Sequence, residues 1–359
     1  RSGNSIMDDN KKKSRVGFWV STSLAIFFFL CCIVLSISLM GLFVVKGALT
    51  TQGKDESTKK LSETVIGGSG TDKILLIPIK GVITGQSAKK LFQETPSIVD
   101  SVKQQLEQAR NDNDIKAVIL EINSPGGGIT ASDIIYKKVL EFKEKTDKKV
   151  IVCMQDVAAS GAYYISAAAD KIISHPTTIT GSIGVIMPLI NIANLVEKYG
   201  IEDNSIKSGD MKSIGSPLKK MSDAEREVLY DIVDEMYTRF VNIIAIGRNM
   251  KVEDVKRLAD GRIYTGKQAL DNGLVDQLGY IEDAITLAKS ITGLNEAKVI
   301  KYKKMFNLAE IFEGSMDNLF GNRTIKFSLH ASADNDFPGF MYLWTGYQQN
   351  YLFKWPTFN

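Results

Sequence analysis

The chain has 359 residues, of which 44% are apolar and 24% are charged, with a net charge of +3. This composition is that of an ordinary folded chain, so it excludes a disordered, collagen-like or disulfide-rich protein. A mean hydropathy near zero also excludes a membrane protein with many spans. The first 15 residues contain five basic and two acidic side chains, which account for the whole net charge. The remainder is neutral and lacks the basic excess typical of nucleic-acid binding, so no nucleic-acid partner is expected.

Residues 16–45 form an uncharged run that is mostly apolar. About 20 apolar residues are enough for a helix to cross a bilayer, so this run predicts a transmembrane anchor. Basic residues are concentrated in the preceding tail, residues 1–15, which places the tail in the cytoplasm and the rest of the chain outside the cell membrane. A cleavable signal peptide is the alternative, although its apolar region would be only about 7–15 residues long.

Behind the anchor, polar residues 46–71 end in a glycine-rich stretch, which predicts a flexible linker. In the body at 72–300, short apolar runs alternate with amphipathic stretches. Strands are predicted at 73–79, 117–122, 150–154 and 172–174, and helices at 98–110, 129–143, 222–247, 252–259, 267–272 and 281–291. This alternation predicts an α/β fold with a mostly parallel sheet covered by helices. The aromatic-rich C-terminal extension, residues 301–359, has no predicted role.

Two glycine-rich turns follow predicted strands. In the first, Asn123–Gly128, the glycines allow a ligand to approach the backbone N–H groups, although close packing explains many such turns. The second turn contains Ser160 and Gly161 where a strand becomes a helix, and a simple helix N-cap is the alternative explanation for that serine. Since parallel strands end at one edge of a sheet, the two turns together can supply a nucleophile and an N–H donor for acyl transfer.

A serine nucleophile needs a base that accepts its proton. His175 is the only histidine near it in the sequence, and it is the less favoured candidate because it precedes a proline at the end of a strand. A lysine can act as the base when burial keeps it neutral. The segment at 206–220 contains four candidates, whose spacing does not distinguish them: Lys207, Lys212, Lys219 and Lys220. With two histidines in the chain, a His-rich metal site is excluded.

Five ordered motifs resemble those of signal peptide peptidase A, a bacterial family of membrane-bound Ser–Lys proteases. They are Asn-Ser-Pro-Gly-Gly at 123–127, Ala-Ala-Ser-Gly-Ala-Tyr-Tyr at 158–164, Thr-Gly-Ser-Ile-Gly-Val at 180–185, Lys-Ser-Gly-Asp-Met-Lys at 207–212 and Ala-Asp-Gly-Arg-Ile-Tyr-Thr-Gly at 259–266. The resemblance covers residues 72–300 and implies a ClpP/crotonase-like α/β fold. The aromatic C-terminal segment matches nothing in the short members of the family.

Carried over by position, the resemblance implies that Ser160 is the nucleophile and Lys212 the general base. The N–H groups of Gly127 and Gly161 would bind the oxyanion, and Ser182 would either orient the lysine or serve only in a turn. The family needs no metal or cofactor. It also implies a homo-oligomeric ring, in which the serine and the lysine can come from neighbouring subunits.

The implied activity is the degradation of cleaved signal peptides and other short hydrophobic peptides at the membrane. Two alternatives remain open at this point. One is another membrane-bound Ser–Lys protease that acts on a specific membrane protein. The other is a crotonase-like protein that binds an acyl thioester and has no proteolytic activity.

Overall fold

The computed structural model describes residues 24, 26–36, 60–90, 93–303 and 341–343. The chain divides into two units, Arg1–Lys59 and Lys60–Asn359. In the first unit, residues 26–36 are helical and their side chains are exposed. Within the described ranges, no helix is both long enough and apolar enough to span a bilayer. The predicted cytoplasmic tail and much of the predicted anchor lie outside those ranges, as does most of the C-terminal extension.

The second unit alternates strands with helices. Its strands are β1 (Ser62–Gly67), β2 (Lys73–Lys80), β3 (Ala88–Lys90), β4 (Gln93–Thr95), β5 (Ile115–Ser124), β6 (Gly126–Gly128), β7 (Lys149–Ala159), β8 (Lys171–Ser174), β9 (Ile179–Gly181), β10 (Ile263–Thr265), β11 (Gln277–Leu278), β12 (Lys298–Lys303) and β13 (Met341–Leu343). Its α-helices are α1 (Ile98–Arg110), α2 (Ile129–Lys145), α3 (Gly161–Ser166), α4 (Ala193–Lys198), α5 (Asp223–Arg248), α6 (Val252–Leu258), α7 (Gly266–Asp271) and α8 (Ile281–Thr292). The predicted strands and helices of the body are confirmed to within three residues at most ends.

Nine of the described strands form one sheet in the order β1-β12-β2-β5-β7-β8-β11, with β9 joined to β7 and β10 to β9. The pairs from β12 through β2, β5, β7 and β8 to β11 are all parallel. Antiparallel pairing occurs where β1 joins β12 and where β10 joins β9. The predicted α/β fold with a mostly parallel sheet is therefore confirmed.

Helices cover both faces of this sheet because successive strand side chains point to opposite sides. Ile119 and Ile151 belong to a buried cluster that includes Ala284 of α8. The next residues along each strand, Leu120 and Val152, belong to the larger core on the other face, which α1, α2, α3 and α5 cover. Two buried faces explain why the strands read as continuous apolar runs in the sequence.

The prediction of a flexible linker at residues 46–71 is wrong for part of that range. Residues 62–67 form β1, which pairs with β12 at one edge of the sheet. Most β1 side chains are exposed, including Val65 and Ile66, so the strand has no buried face to give it an apolar pattern. Backbone hydrogen bonds to β12, rather than side-chain burial, define this strand.

Candidate active site

Strands β5 and β7 bring the two glycine-rich turns together. The strands are parallel neighbours, and Ser124 at the end of β5 lies opposite Ala158 near the end of β7. Strand β6 and helix α2 follow β5, whereas α3 follows β7 and packs against β6. The predicted meeting of the two turns at one sheet edge is therefore present.

Ser160 occupies a strained turn between β7 and α3. Its backbone angles are φ 53° and ψ −117°, a conformation that residues with a side chain rarely adopt. Its N–H donates to the carbonyl of Gly181 at 2.7 Å, and its carbonyl accepts from the N–H of Tyr164 at 2.9 Å. The side chain makes no capping hydrogen bond, so the N-cap explanation of this serine is wrong. Strain of this kind costs about 1–3 kcal/mol and is concentrated at functional sites.

The glycine strand β6 lies beside the backbone of Ile83. The Ile83 N–H donates to Gly126 at 2.8 Å, and the Gly128 N–H donates to Ile83 at 2.9 Å. A Cβ atom on Gly127 would lie only 2.1 Å from the Ile83 carbonyl oxygen, which explains why this position is glycine. Because adjacent residues of a strand direct their N–H groups to opposite sides, the Gly127 N–H faces away from Ile83.

Strand β13 pairs antiparallel with β6, with Tyr342 opposite Gly127. It therefore lies along the side of β6 to which the Gly127 N–H is directed. Neither this pairing nor the contact with Ile83 could be predicted from the sequence. Both depend on backbone hydrogen bonds, which leave no residue pattern in the sequence.

Ser182 lies next to the turn that contains Ser160. Strand β9 pairs with β7 so that Gly181 is opposite Ala159. Ser182 follows directly, with a positive φ of 49°, and its N–H donates to the carbonyl of Arg262 at 2.8 Å. In the single chain, the Ser182 hydroxyl makes no hydrogen bond to Lys212, a residue that the structure also describes.

Two of the four candidate lysines have acidic partners. Lys207 lies 3.9 Å from the Asp203 carboxylate. Lys219 lies 2.5 Å from the carboxylate of Glu225, which is almost fully buried. The hydrogen bond from Lys219 lowers the pKa of Glu225, which favours the charged carboxylate. Ion pairing stabilises the ammonium form of a lysine, which disfavours Lys207 and Lys219 as neutral bases.

Lys212 and Lys220 are both exposed, and neither has an ion-pair partner among the residues that the structure describes. Lys212 lies in a short 3-10 helix, Asp210–Ser213. The single chain does not bring its amine into hydrogen-bonding contact with Ser160. His175 contacts other residues: its ring packs edge-on against Tyr280 at 4.3 Å and its Nδ1 atom lies 2.9 Å from the Thr177 hydroxyl.

The sequence is similar to known protease families over the region that contains both glycine-rich turns. The family model for Peptidase family S49 matches residues 142–295, and the model for Clp protease matches residues 91–180, which include both glycine-rich turns. The protein named "Putative signal peptide peptidase SppA" of Enterococcus faecium is 44% identical over 251 residues, which cover 70% of this chain and 72% of that protein. The chain belongs to the signal peptide peptidase SppA family. It is accordingly a serine protease, as the sequence analysis predicted.

Longer relatives match over a smaller share of their length. Protease 4 of Haemophilus influenzae is 34% identical over 233 residues, 64% of this chain but 36% of that protein. The chloroplastic serine protease SPPA of Arabidopsis thaliana is 31% identical over 263 residues, 72% of this chain and 39% of that protein. Among solved structures, a ClpP1 mutant from Listeria monocytogenes has a TM-score of 0.39 and 20% identity, and the match covers 58% of this chain and 94% of that one.

Proposed function

We propose that the chain is a single-pass, membrane-anchored endopeptidase that degrades cleaved signal peptides and other short hydrophobic peptides. The observation that supports this most is the turn at Ser160. Its hydroxyl makes no capping bond, its backbone is strained, and the glycine strand β6 lies beside the helix that follows it. Membership of the SppA family favours this function over binding of an acyl thioester.

The proposed chemistry uses Ser160 as the nucleophile and Lys212 as the base. The Ser160 oxygen attacks the peptide carbonyl carbon while its proton passes to the Lys212 amine. The N–H groups of Gly127 and Gly161 donate to the resulting oxyanion. Lys212 then protonates the leaving amine, and water, deprotonated by the same lysine, hydrolyses the acyl-enzyme. In this scheme Ser182 orients the lysine.

A neutral Lys212 requires a drier environment than the single chain provides, because desolvation is what disfavours an ammonium ion. We propose that a neighbouring subunit of a homo-oligomeric ring supplies it. The segment around Lys212 supports this, since it exposes several large apolar side chains: Leu189, Ile190, Leu195, Ile206 and Met211. A subunit contact here would bury these side chains and desolvate the amine together, and the serine and lysine of one site would come from two subunits.

We propose that the substrate binds as an extended strand along β6. An extended peptide gains main-chain hydrogen bonds by adding to a sheet edge, and this binding requires little of the peptide's sequence. The antiparallel pairing of β13 with Gly126–Gly128 supports this mode, because it places an extended segment of the chain on that edge. A substrate there would present its carbonyl groups to the Gly127 N–H.

The proposed anchor is the apolar run at 16–45, with the tail at 1–15 in the cytoplasm and the protease on the opposite side of the membrane. The described part of this run is helical, and its side chains are exposed, among them Phe27, Phe28 and Phe29. Such an anchor would hold the protease at the surface where membrane peptides emerge. Since β1 belongs to the sheet, we propose a protease domain that starts near residue 60, after a shorter linker.

The test measures peptidase activity of the full chain in detergent on a fluorogenic peptide with an apolar cleavage site. Ser160→Ala and Lys212→Ala should each reduce turnover by on the order of a thousandfold or more, since nucleophile and base act as a unit. The matched control is Lys220→Ala, because Lys220 is also exposed, has no ion-pair partner in the described part of the chain and lies in the same segment. This control should keep turnover within about twofold of wild type.

Two results would contradict the proposal. Near-normal turnover by Lys212→Ala, with loss of turnover in Lys220→Ala, would assign the base to Lys220. Absence of turnover by the assembled wild-type protein on any apolar peptide would argue against the endopeptidase itself.

A further inference from the structure

The side chain of Tyr164 connects the nucleophile turn to two other helices. Tyr164 is fully buried in α3, and its own N–H donates to the Ser160 carbonyl. Its hydroxyl donates to the Asp133 carboxylate of α2 at 2.5 Å. Arg239 of α5 donates from Nε to this same carboxylate and to the Tyr164 oxygen, both at 3.1 Å. One phenol, one carboxylate and one guanidinium thus join three helices.

We propose that Tyr164, Asp133 and Arg239 form a positioning network that fixes the Ser160 turn relative to the oxyanion strand β6. The inference rests on the proposed nucleophile, and none of the three residues is assigned a direct chemical role. Their function would be to hold the distance between the Ser160 oxygen and the Gly127 N–H at the value that acyl transfer requires.

The connection to β6 runs through the start of α2. This helix begins at Ile129, directly after Gly128, and the Ser132 hydroxyl donates back to the Gly128 carbonyl at 3.0 Å. Asp133 follows Ser132 near the start of α2, so its carboxylate belongs to the part of the helix that directly follows β6. A shift of α2 would therefore move Gly127 and Asp133 together, and the bond to Tyr164 opposes such a shift relative to Ser160.

Aromatic packing fixes the plane of the Tyr164 ring. The ring of Tyr136 meets it edge-on with a centroid distance of 5.3 Å, and the ring of Phe240 is tilted against it at 5.0 Å. Aromatic pairs prefer such geometries, so the hydroxyl has one favoured direction. The contacts place Tyr136 of α2 and Phe240 of α5 around the residue that follows the nucleophile by one helical turn.

The exposure of the charged side chains indicates that the network orients the Ser160 turn and adds little to stability. The Asp133 side chain is 31% exposed and the Arg239 side chain 53% exposed. An ion pair this exposed contributes little to stability on its own. The phenol is the buried member, and a hydrogen bond to a charged acceptor is stronger and more directional than one between neutral groups. Arg239 in turn holds the carboxylate in the orientation that accepts the phenol.

The test compares Tyr164→Phe with Tyr163→Phe in the full chain in detergent. The two tyrosines are adjacent in α3 and fully buried, but the Tyr163 hydroxyl donates to the Leu274 carbonyl at 2.7 Å, away from Asp133. Each substitution removes one hydroxyl from a fully buried ring: Tyr163→Phe removes the hydrogen bond to Leu274, and Tyr164→Phe removes those to Asp133 and Arg239. The first readout is the rate at which a fluorophosphonate probe labels the nucleophile, which does not depend on peptide binding. The second is the separation of kcat from KM with a fluorogenic peptide.

Tyr164→Phe should slow labelling and lower kcat by on the order of tenfold with KM within about twofold, because small misplacements of reacting groups are costly. Tyr163→Phe should leave both rates within about twofold of wild type at temperatures where both variants are folded. Arg239→Gln, a change at a half-exposed side chain that spares the core, should lower kcat in the same direction. Combined with Tyr164→Phe, it should add less than its separate effect, since both act through Asp133.

Wild-type rates for Tyr164→Phe would overturn the inference, as would equal losses in the two tyrosine variants, which would indicate general loosening of α3. Ser160→Ala is measured alongside to separate this inference from the proposed function. Continued labelling of Ser160→Ala would overturn the proposed nucleophile and the network with it. Loss of labelling in Ser160→Ala, with normal labelling of Tyr164→Phe, would overturn the network alone.

Discussion

The backbone of Ser160 provides a test of the site that does not depend on turnover. Its angles, φ 53° and ψ −117°, are those that glycine adopts most readily. Relief of such strain is worth about 1–3 kcal/mol. The extra freedom of glycine in the unfolded chain costs about 0.5–1 kcal/mol. Ser160→Gly should therefore raise the free energy of unfolding by up to about 2.5 kcal/mol while it abolishes activity. This gain corresponds to a rise in Tm of a few degrees.

Ser160→Ala is the matched control, because it removes the same hydroxyl but keeps a Cβ atom in the strained conformation. Its Tm should stay near that of the wild type. A second control is Asn249→Gly at the end of α5, where φ is 51° and ψ is 46°. Asparagine tolerates this left-handed conformation, so the gain there should be smaller.

The assay is thermal unfolding of the full chain in detergent, followed by circular dichroism, with fluorophosphonate labelling to confirm that both Ser160 variants are inactive. A Tm of Ser160→Gly at or below that of Ser160→Ala would refute the reasoning. It would mean that the turn at the end of β7 is not strained by its side chain.

Further predictions concern the same edge of the sheet and the stability of the domain. We expect β13 to compete with a peptide substrate for the edge of β6. Deletion of the chain after Phe340 removes β13 and should raise kcat/KM for short peptides, by about tenfold if β13 forms two hydrogen bonds of ~0.7 kcal/mol each with β6. Equal kcat/KM values for the two proteins would contradict this competition. Gly127→Ala should abolish activity and lower Tm, because the added Cβ atom would clash with the Ile83 backbone. An active and stable variant would mean that β6 does not lie against Ile83. Burial alone would raise the pKa of Asp276, but the hydrogen bonds from Arg248 and from the Ile172 N–H, together with the positive charges of Arg248 and Lys171, outweigh burial and lower this pKa. The stability from Asp276 is thus present at neutral pH and lost as pH falls through its folded pKa. Asp276→Asn should lower Tm at pH 7 and have little effect in strong acid, and an equal loss at both pH values would contradict the linkage.

The body of the fold could be predicted because its signals are local. Strands β5 and β7 are buried on both faces and read as apolar runs, and the glycines that follow them mark the turns. The capping box at Ser222 and Glu225 marked the start of α5. Strands β1 and β13 left no such signal. The first is an exposed edge strand, and the second pairs with β6 over three residues through its backbone.

The site could be predicted only in part. The position of Ser160 followed from its turn, but its N-cap alternative could be rejected only from backbone angles that β7, β9 and α3 impose together. The choice among the lysines depended on which of them form ion pairs in the folded chain and on their burial, neither of which spacing reveals. Tyr164 was part of a recognised motif, yet its link to Asp133 and Arg239 arises from the packing of three helices.

The two halves of the proposed dyad differ in how firmly the chain holds them. Ser160 is bound on both sides by backbone hydrogen bonds and lies within a buried core. Lys212 lies in an exposed segment, and the described contacts that anchor this segment, from Ile192 to Pro217 and from Lys219 to Glu225, lie on its C-terminal side. A preformed nucleophile needs strain that only a rigid fold can maintain, whereas a lysine base needs desolvation that, in the proposed ring, a surface segment would acquire on assembly. Such coupling of the base to assembly would restrict proteolysis to the oligomer, so that a subunit outside the proposed ring would not cleave peptides.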